Sequence, residues 1–149
     1  MISEEPILRI QAELGEIVDA GTTPYGGRRV IEILGGRVEG RIAGRILSGG
    51  ADWQIIRSDG VADIQARYVI EADGGARVLV TSNGLRYGPA EILAAIARGE
   101  KVDPSLYYFR TVMRFEASAP SLDWLNRVIG IARGARERLS VKLDVFELL

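Results

Sequence analysis

The chain of 149 residues contains no histidine and no cysteine. Without histidine it lacks the usual proton shuttle at neutral pH, and with it the Ser-His-Asp and Cys-His nucleophile arrangements and the zincin motif. Without cysteine there is no disulfide framework, thiolate nucleophile or thiolate-held metal. Lysine is scarce, two residues against seventeen arginines, and the arginines are spread along the chain as on a solvated surface. A net charge of -1 offers no electrostatic reason for a nucleic-acid or anionic-membrane partner. No stretch approaches the roughly 18 apolar residues of a membrane span, and Met1-Ile2-Ser3-Glu4-Glu5-Pro6 has no apolar signal core. The expectation is a cytoplasmic protein without membrane or nucleic-acid partners.

Several motifs are missing too. There is no Gly-x-x-x-x-Gly-Lys phosphate loop, no Gly-x-Gly-x-x-Gly dinucleotide fingerprint and no Gly-x-Ser-x-Gly elbow. Asp59, Asp63, Glu71 and Asp73 are explained by turns and strand surfaces, so neither an intrinsic metal nor a cofactor is expected. Any catalysis falls to Asp, Glu, Tyr, Arg or Lys.

What is present is alternation. A length of 149 residues with 47% hydrophobic and 26% charged content fits one globular domain, residues 1–149, able to bury roughly two-thirds of its unfolded surface. From Ile7, residues Leu8, Ile10, Ala12 and Leu14 share one face of a half-buried strand. Gly21 to Gly27 reads as a loop, Arg28 to Leu34 as a second strand, and Gly35-Gly36 as a tight turn into a third strand, Arg37 to Leu47. Asp52 to Arg57, Val61 to Glu71 and Ala76 to Ser82 follow, separated by Ser58-Asp59-Gly60 and Asp73-Gly74-Gly75. Pro89 to Arg98 carries the stripe Ile92, Leu93, Ile96 and a stop at Gly99, a helix serving as lid or end-plug. Strands resume at Tyr107 to Glu116, Arg127 to Arg133 and Leu139 to Leu148, with Leu122 to Asn126 as a turn or short helix. The predicted architecture is mainly β: a single-domain antiparallel β-barrel of about nine strands with one short helix, closure being the economical way to leave few exposed edges.

The stretches Gly35-Gly36, Gly49-Gly50-Ala51-Asp52-Trp53, Ala66-Arg67-Tyr68, Tyr108-Phe109-Arg110-Thr111, Phe115-Glu116 and Trp124-Leu125-Asn126-Arg127 span nearly the whole chain. In this order the set resembles an uncharacterised family of bacterial and fungal proteins, domain of unknown function 3237 or uncharacterised protein family 0311. The resemblance implies a compact small β-barrel and assigns no general activity. It also implies an Asp before the Ala-Arg-Tyr run, where this chain has Gln65.

A barrel of about eight or nine strands is filled by side chains or holds one small ligand. Gly40, Gly44, Ala62 and Ala66 on apolar faces would leave room for one. Candidate ligand-binding residues are Asp52, Trp53, Tyr68, Phe109, Thr111, Phe115 and Trp124. The alternative polar cluster is Arg67, Arg110, Glu116 and Asn126. Strand alternation sets Arg67, Arg110 and Glu116 opposite Tyr68, Phe109 and Phe115, so without a bulge only one set faces the lumen. The reading preferred here turns the aromatics inward, with Asp52 and Trp53 near a mouth. Three functions follow as expectations. The first is a binder of a small, largely apolar or aromatic molecule. The second is a cofactor-free lyase, isomerase or cyclase using Asp52 or Glu116 as acid or base with Arg or Tyr stabilising charge. The third is a structural module that forms a homo-oligomer.

Overall fold

The computed structural model describes residues 1–149. Nine antiparallel strands follow one another: β1 (Leu8–Thr23), β2 (Gly26–Gly40), β3 (Gly44–Ile46), β4 (Gly50–Ile56), β5 (Ala62–Ala72), β6 (Arg77–Tyr87), β7 (Tyr108–Ala117), β8 (Gly130–Arg136) and β9 (Ser140–Glu147). The sheet closes because β1 pairs with both β2 and β9. β3 and β4 lie end to end between β2 and β5, so nine strands occupy eight staves. Eight is the number at which an interior is just wide enough for packed side chains or one small ligand.

Alternation sorts the side chains as the pleat requires. On β5, Ala62, Ile64, Ala66, Tyr68 and Ile70 are buried, whereas Gln65 and Arg67 are exposed. On β7, Phe109, Thr111, Met113 and Phe115 are buried between exposed Tyr108, Val112, Arg114 and Glu116. The aromatics therefore face inward. Many arginines of the outer wall meet carboxylates there, as in Arg45–Glu71 at 3.1 Å, Arg77–Glu71 at 3.3 Å and Arg133–Asp144 at 3.3 Å. Such exposed pairs add little stability.

The helix α1 (Ala90–Ala97) begins after Pro89 and ends at Gly99, whose φ of +85° and N–H bond to the Ile96 carbonyl, 3.0 Å, form a left-handed cap. Ile96 is its buried anchor, with Ile92 and Leu93 packed against the core. The other end of the barrel is plugged by a 3-10 segment, Pro120–Arg127, through buried Leu122 and Leu125. No helix is long and apolar enough to cross a membrane.

Four sequence expectations change. Gly35-Gly36 is not a turn: it continues β2, where Glu13 pairs with Gly35 but Leu14 with Ile33, so an extra residue bulges out at Leu34. The expected strand Arg37 to Leu47 is divided by a turn at Arg41 to Ala43. Val38, Ile42 and Ile46 are all buried nonetheless, and their even spacing imitated one continuous strand. The expected loop Gly21 to Gly27 shrinks to Pro24-Tyr25, because β1 and β2 continue as a ribbon past the barrel rim. Gly40 and Gly44 do not widen the lumen; a Cβ at Gly44 would collide with the Glu71 carbonyl, so its role is close strand approach.

Candidate functional site

β4 alternates like its neighbours, and this decides what reaches the lumen. Asp52 and Gln54 point inward, whereas Trp53 between them is 56% exposed on the outer wall. Adjacent residues of one strand face opposite sides, so Asp52 and Trp53 cannot share a pocket. Gln54 is 1% exposed and bonded at both ends of its amide. Its Oε1 accepts from Arg29 Nη2 at 2.7 Å, and its Nε2 donates to Asp52 Oδ2 at 2.7 Å. A guanidinium only donates and a carboxylate only accepts, which fixes the orientation of the amide between them. The other oxygen, Asp52 Oδ1, accepts from the Gln65 N–H at 3.0 Å, where the β4–β5 ladder lapses between Asp52↔Ala66 and Ile55↔Asp63. The Gln65 side chain lies outside, so at that position only the backbone serves the site.

Two arginines complete the arrangement. β6 continues inward-facing from Val78, Val80 and Ser82 to Arg86, and β8 from Ala132 through Gly134 to Arg136. Arg136 is held through its backbone, whose N–H donates to the Tyr107 hydroxyl at 2.8 Å. The Arg86 guanidinium lies 5.8 Å from the centre of the Phe109 ring. That ring rests on Gly134, where a Cβ would come within 2.7 Å of it. Ser82 Oγ donates to Thr111 Oγ1 at 3.0 Å between the inner faces of neighbouring β6 and β7.

Arg86 and Arg136 stand at a waist between two spaces. The inner chamber, about 50 Å³, is bounded by Ala12, Ala66, Tyr68, Thr111 and Leu143 together with Asp52. The outer slot at the mouth, about 260 Å³, runs between the bulged Gly15–Ile17 of β1, α1 at Leu93 and Ile96, and the β8–β9 turn. Burial pushes all three arginines below their ordinary pKa. For Arg136 the fall is to about 10, with Arg86 and Arg29 adding to burial and Asp52 opposing it. Arg86 is lowered by burial and then by Arg29. Arg29 is lowered by burial against the attraction of Asp19 and Asp52. All three feel the Asp52 charge without a close ion pair; Arg136 Nη1 donates to the Ser140 carbonyl at 3.4 Å, and the Arg29 Nε is buried without a partner. Burial likewise raises the Asp52 carboxyl, opposed by its Gln54 and Gln65 hydrogen bonds and by Arg86 and Arg136. The Tyr68 hydroxyl has no hydrogen-bond partner, and burial drives its pKa far up.

Residues 2–148 match the family described as a protein of unknown function, DUF3237. The chain belongs to the DUF3237 family. A UPF0311 protein of Bradyrhizobium diazoefficiens is 43% identical over 143 residues, 96% of this chain and 94% of that one. The crystal structure of a conserved protein of unknown function from Rhodopseudomonas palustris has a TM-score of 0.92 at 41% identity, covering 100% of this chain and 98% of that one. A β-barrel-like protein from Acinetobacter baumannii AYE has a TM-score of 0.86 at 40% identity, covering 100% and 97%. A more distant structure, an enzyme from Penicillium herquei, shares the fold at a TM-score of 0.67 and 19% identity, covering 99% and 97%.

Within this DUF3237 barrel, Asp52, Tyr68, Phe109 and Thr111 line one chamber. Phe115 is buried deeper, and Trp124 lies at the plugged end under the Arg41 guanidinium, 3.8 Å from its ring centre. The polar cluster Arg67, Arg110, Glu116 and Asn126 does not converge. Arg67 and Glu116 are exposed on the outer wall, and Arg110 bonds the Phe109 carbonyl at 2.9 Å. Asn126 clasps Ala117, accepting from its N–H at 2.8 Å and donating to its carbonyl at 2.9 Å, which pins the plug to β7. Arg29, Gln54, Arg86 and Arg136 were missed. For Arg86 and Arg136 the signal was the inward parity of β6 and β8, carried on beyond Ser82 and Arg133 where those strands were expected to end, and for Gln54 it was the parity it shares with Asp52 on β4. No cluster of three or more carboxylates able to hold a metal ion occurs.

Proposed function

We propose that this DUF3237 protein binds one small organic molecule in the cavity that runs from the α1 mouth into the barrel. The observation that carries the reading is the polar waist. The buried Arg29 Nε and Tyr68 hydroxyl without partners, beside a desolvated Arg86 guanidinium that makes no hydrogen bond in the chain, are unfavourable in an empty interior, and a ligand that pairs with them removes that penalty. Native mass spectrometry of protein purified from its own host tests it. The expected result is one small-molecule adduct per chain, lost when Ala66→Phe fills the chamber and kept in Trp53→Ala on the outer wall. A bare mass, together with no thermal shift from a fragment library, would overturn it.

A second reading rests on Asp52, a carboxyl raised by burial in the same chamber as Tyr68. It makes the protein a cofactor-free enzyme of the proton-transfer kind, a lyase, isomerase or cyclase. The Penicillium herquei neighbour described as an enzyme shares only its fold with this chain. Asp52→Asn is expected to keep the bound molecule and to abolish its conversion, followed by mass spectrometry of released product. Self-association is proposed through the outer face of β6 and β7, where Leu79, Leu85, Tyr87, Tyr108 and Val112 are exposed. Light scattering across concentrations decides it, a monomer throughout removing the reading.

A further inference from the structure

The waist also specifies the chemistry of the ligand, an inference that rests on the cavity reading above. Arg29 donates through Nη2 to the Gln54 amide and has Asp19 nearby, with its Nε left without a partner. The Arg86 guanidinium makes no hydrogen bond within the chain, and that of Arg136 makes only a long one, from Nη1 to the Ser140 carbonyl at 3.4 Å. They face Asp52 as their shared anion, and the two hydrogen bonds that Asp52 accepts from the chain come from Gln54 and Gln65 rather than from either guanidinium. One positive charge is thus left over at the point where the mouth narrows into the chamber. The space outside it is walled by Ile17, Ile56, Leu93, Ile96 and Leu139, with exposed Glu16 and Arg138 offsetting one another at the rim. The space inside it is too small for more than a few water-sized groups.

We propose that the ligand is a small monocarboxylic acid that enters acid-first, its carboxylate held by Arg86 and Arg136 and its apolar body lying in the mouth slot beneath α1. A planar guanidinium fork matches a carboxylate with two parallel hydrogen bonds, and in a desolvated site such charge-assisted bonds are about twice as strong as neutral ones. A monoanion balances the leftover charge. A phosphate dianion exceeds it and brings a third oxygen group toward Asp52. The inner hydroxyls of Ser82, Thr111 and Tyr68 remain available to a bound water or a polar substituent.

The experiment is calorimetric titration of the whole protein with acetate, hexanoate and phenylacetate, each paired with its neutral amide, and with inorganic phosphate. Hexanoate or phenylacetate is expected to bind at least about tenfold more tightly than its amide. Arg86→Gln and Arg136→Gln should each weaken the acid by roughly ten- to a hundredfold. Arg67→Gln, on the outer wall, should leave it unchanged. Should either glutamine variant fail to fold in circular dichroism, Arg86→Lys replaces it, keeping the charge and losing the fork, with a smaller loss expected. Amides binding as tightly as acids would overturn the carboxylate assignment and leave the cavity reading standing. Phosphate binding more tightly than any acid, and lost in Arg86→Gln, would overturn it in favour of a phosphoryl ligand. If no acid or amide binds, and no library fragment shifts the melting temperature, both readings fall.

Discussion

The two ends of one barrel are built from the same strands and do opposite things. At the plugged end the interior is large and apolar: Leu8, Ile70, Val78, Met113, Leu125 and Val145 are each 0% exposed. Toward the mouth the inward positions of two strands turn polar. Val78 and Val80 give way to Ser82 and Arg86 on β6, and Phe115 and Met113 to Thr111 on β7 before Phe109 ends the row. Closing a sheet satisfies the backbone equally at both ends. What differs is where burial goes. The plugged end converts it into apolar packing, whereas the mouth side desolvates three arginines and leaves the Arg29 Nε and the Tyr68 hydroxyl without partners, an arrangement that costs stability until something fills it.

The comparison breaks most visibly with a cavity mutation at the plugged end. Met113→Ala should cost about 2–5 kcal/mol in urea unfolding while leaving any ligand bound at the mouth in place. The reverse should hold at the waist. Arg86→Met removes a buried unpaired cation, so the empty protein should gain about 1 kcal/mol in the same measurement and lose its ligand. A loss of stability there would show that Arg86 belongs to the packing rather than to a site.

Tyr68 sharpens the boundary between the two regions. Its hydroxyl is buried and unpartnered, so Tyr68→Phe should stabilise the empty barrel by about 1 kcal/mol near neutral pH. The pH dependence has a definite sign. The unfolded phenol titrates near its ordinary 10.0 and the folded one well above it, so above pH 10 the unfolded state releases a proton that the native state keeps. Wild-type stability attributable to Tyr68 is complete below pH 10 and is lost as pH rises beyond it. The advantage of the Phe variant should therefore grow by up to about 1.4 kcal/mol per pH unit across that range, followed by denaturant melts. The smallest effects belong to the outer wall. Trp53→Ala and Glu116→Gln should stay within about 0.5 kcal/mol of wild type and keep the ligand.

Much of the frame was legible. Period-two alternation located every stave, Ser58-Asp59-Gly60 and Asp73-Gly74-Gly75 turned where expected, and the Ile92, Leu93, Ile96 stripe marked the helix. Apolar Tyr68, Phe109 and Phe115 set the inward face because burying them outweighs any use of the facing charges. The bulge at Leu34 was hidden because Gly35-Gly36 carries no side chain where the buried parity changes from Ile31 and Ile33 to Val38, and the break at Arg41 to Ala43 because Val38, Ile42 and Ile46 keep one parity across it. The inward arginines were hidden too. A charged residue at the end of an alternating run reads as the place where the strand stops, and only pairing with the next stave shows that it continues, as Arg86 does opposite Phe109 and Arg136 opposite Val141.

The sequence by itself determined the class of fold, the antiparallel order and the exclusion of histidine and thiol chemistry, because these depend on residue identity and on a local period. Only the tertiary structure decided which end is open and which charges are inside. Arg29, Asp52, Gln54, Arg86 and Arg136 come from four separate stretches, the inner faces of four strands, and each is ordinary in its own segment. Their meaning is a matter of desolvation, and desolvation exists only once the barrel has closed around them.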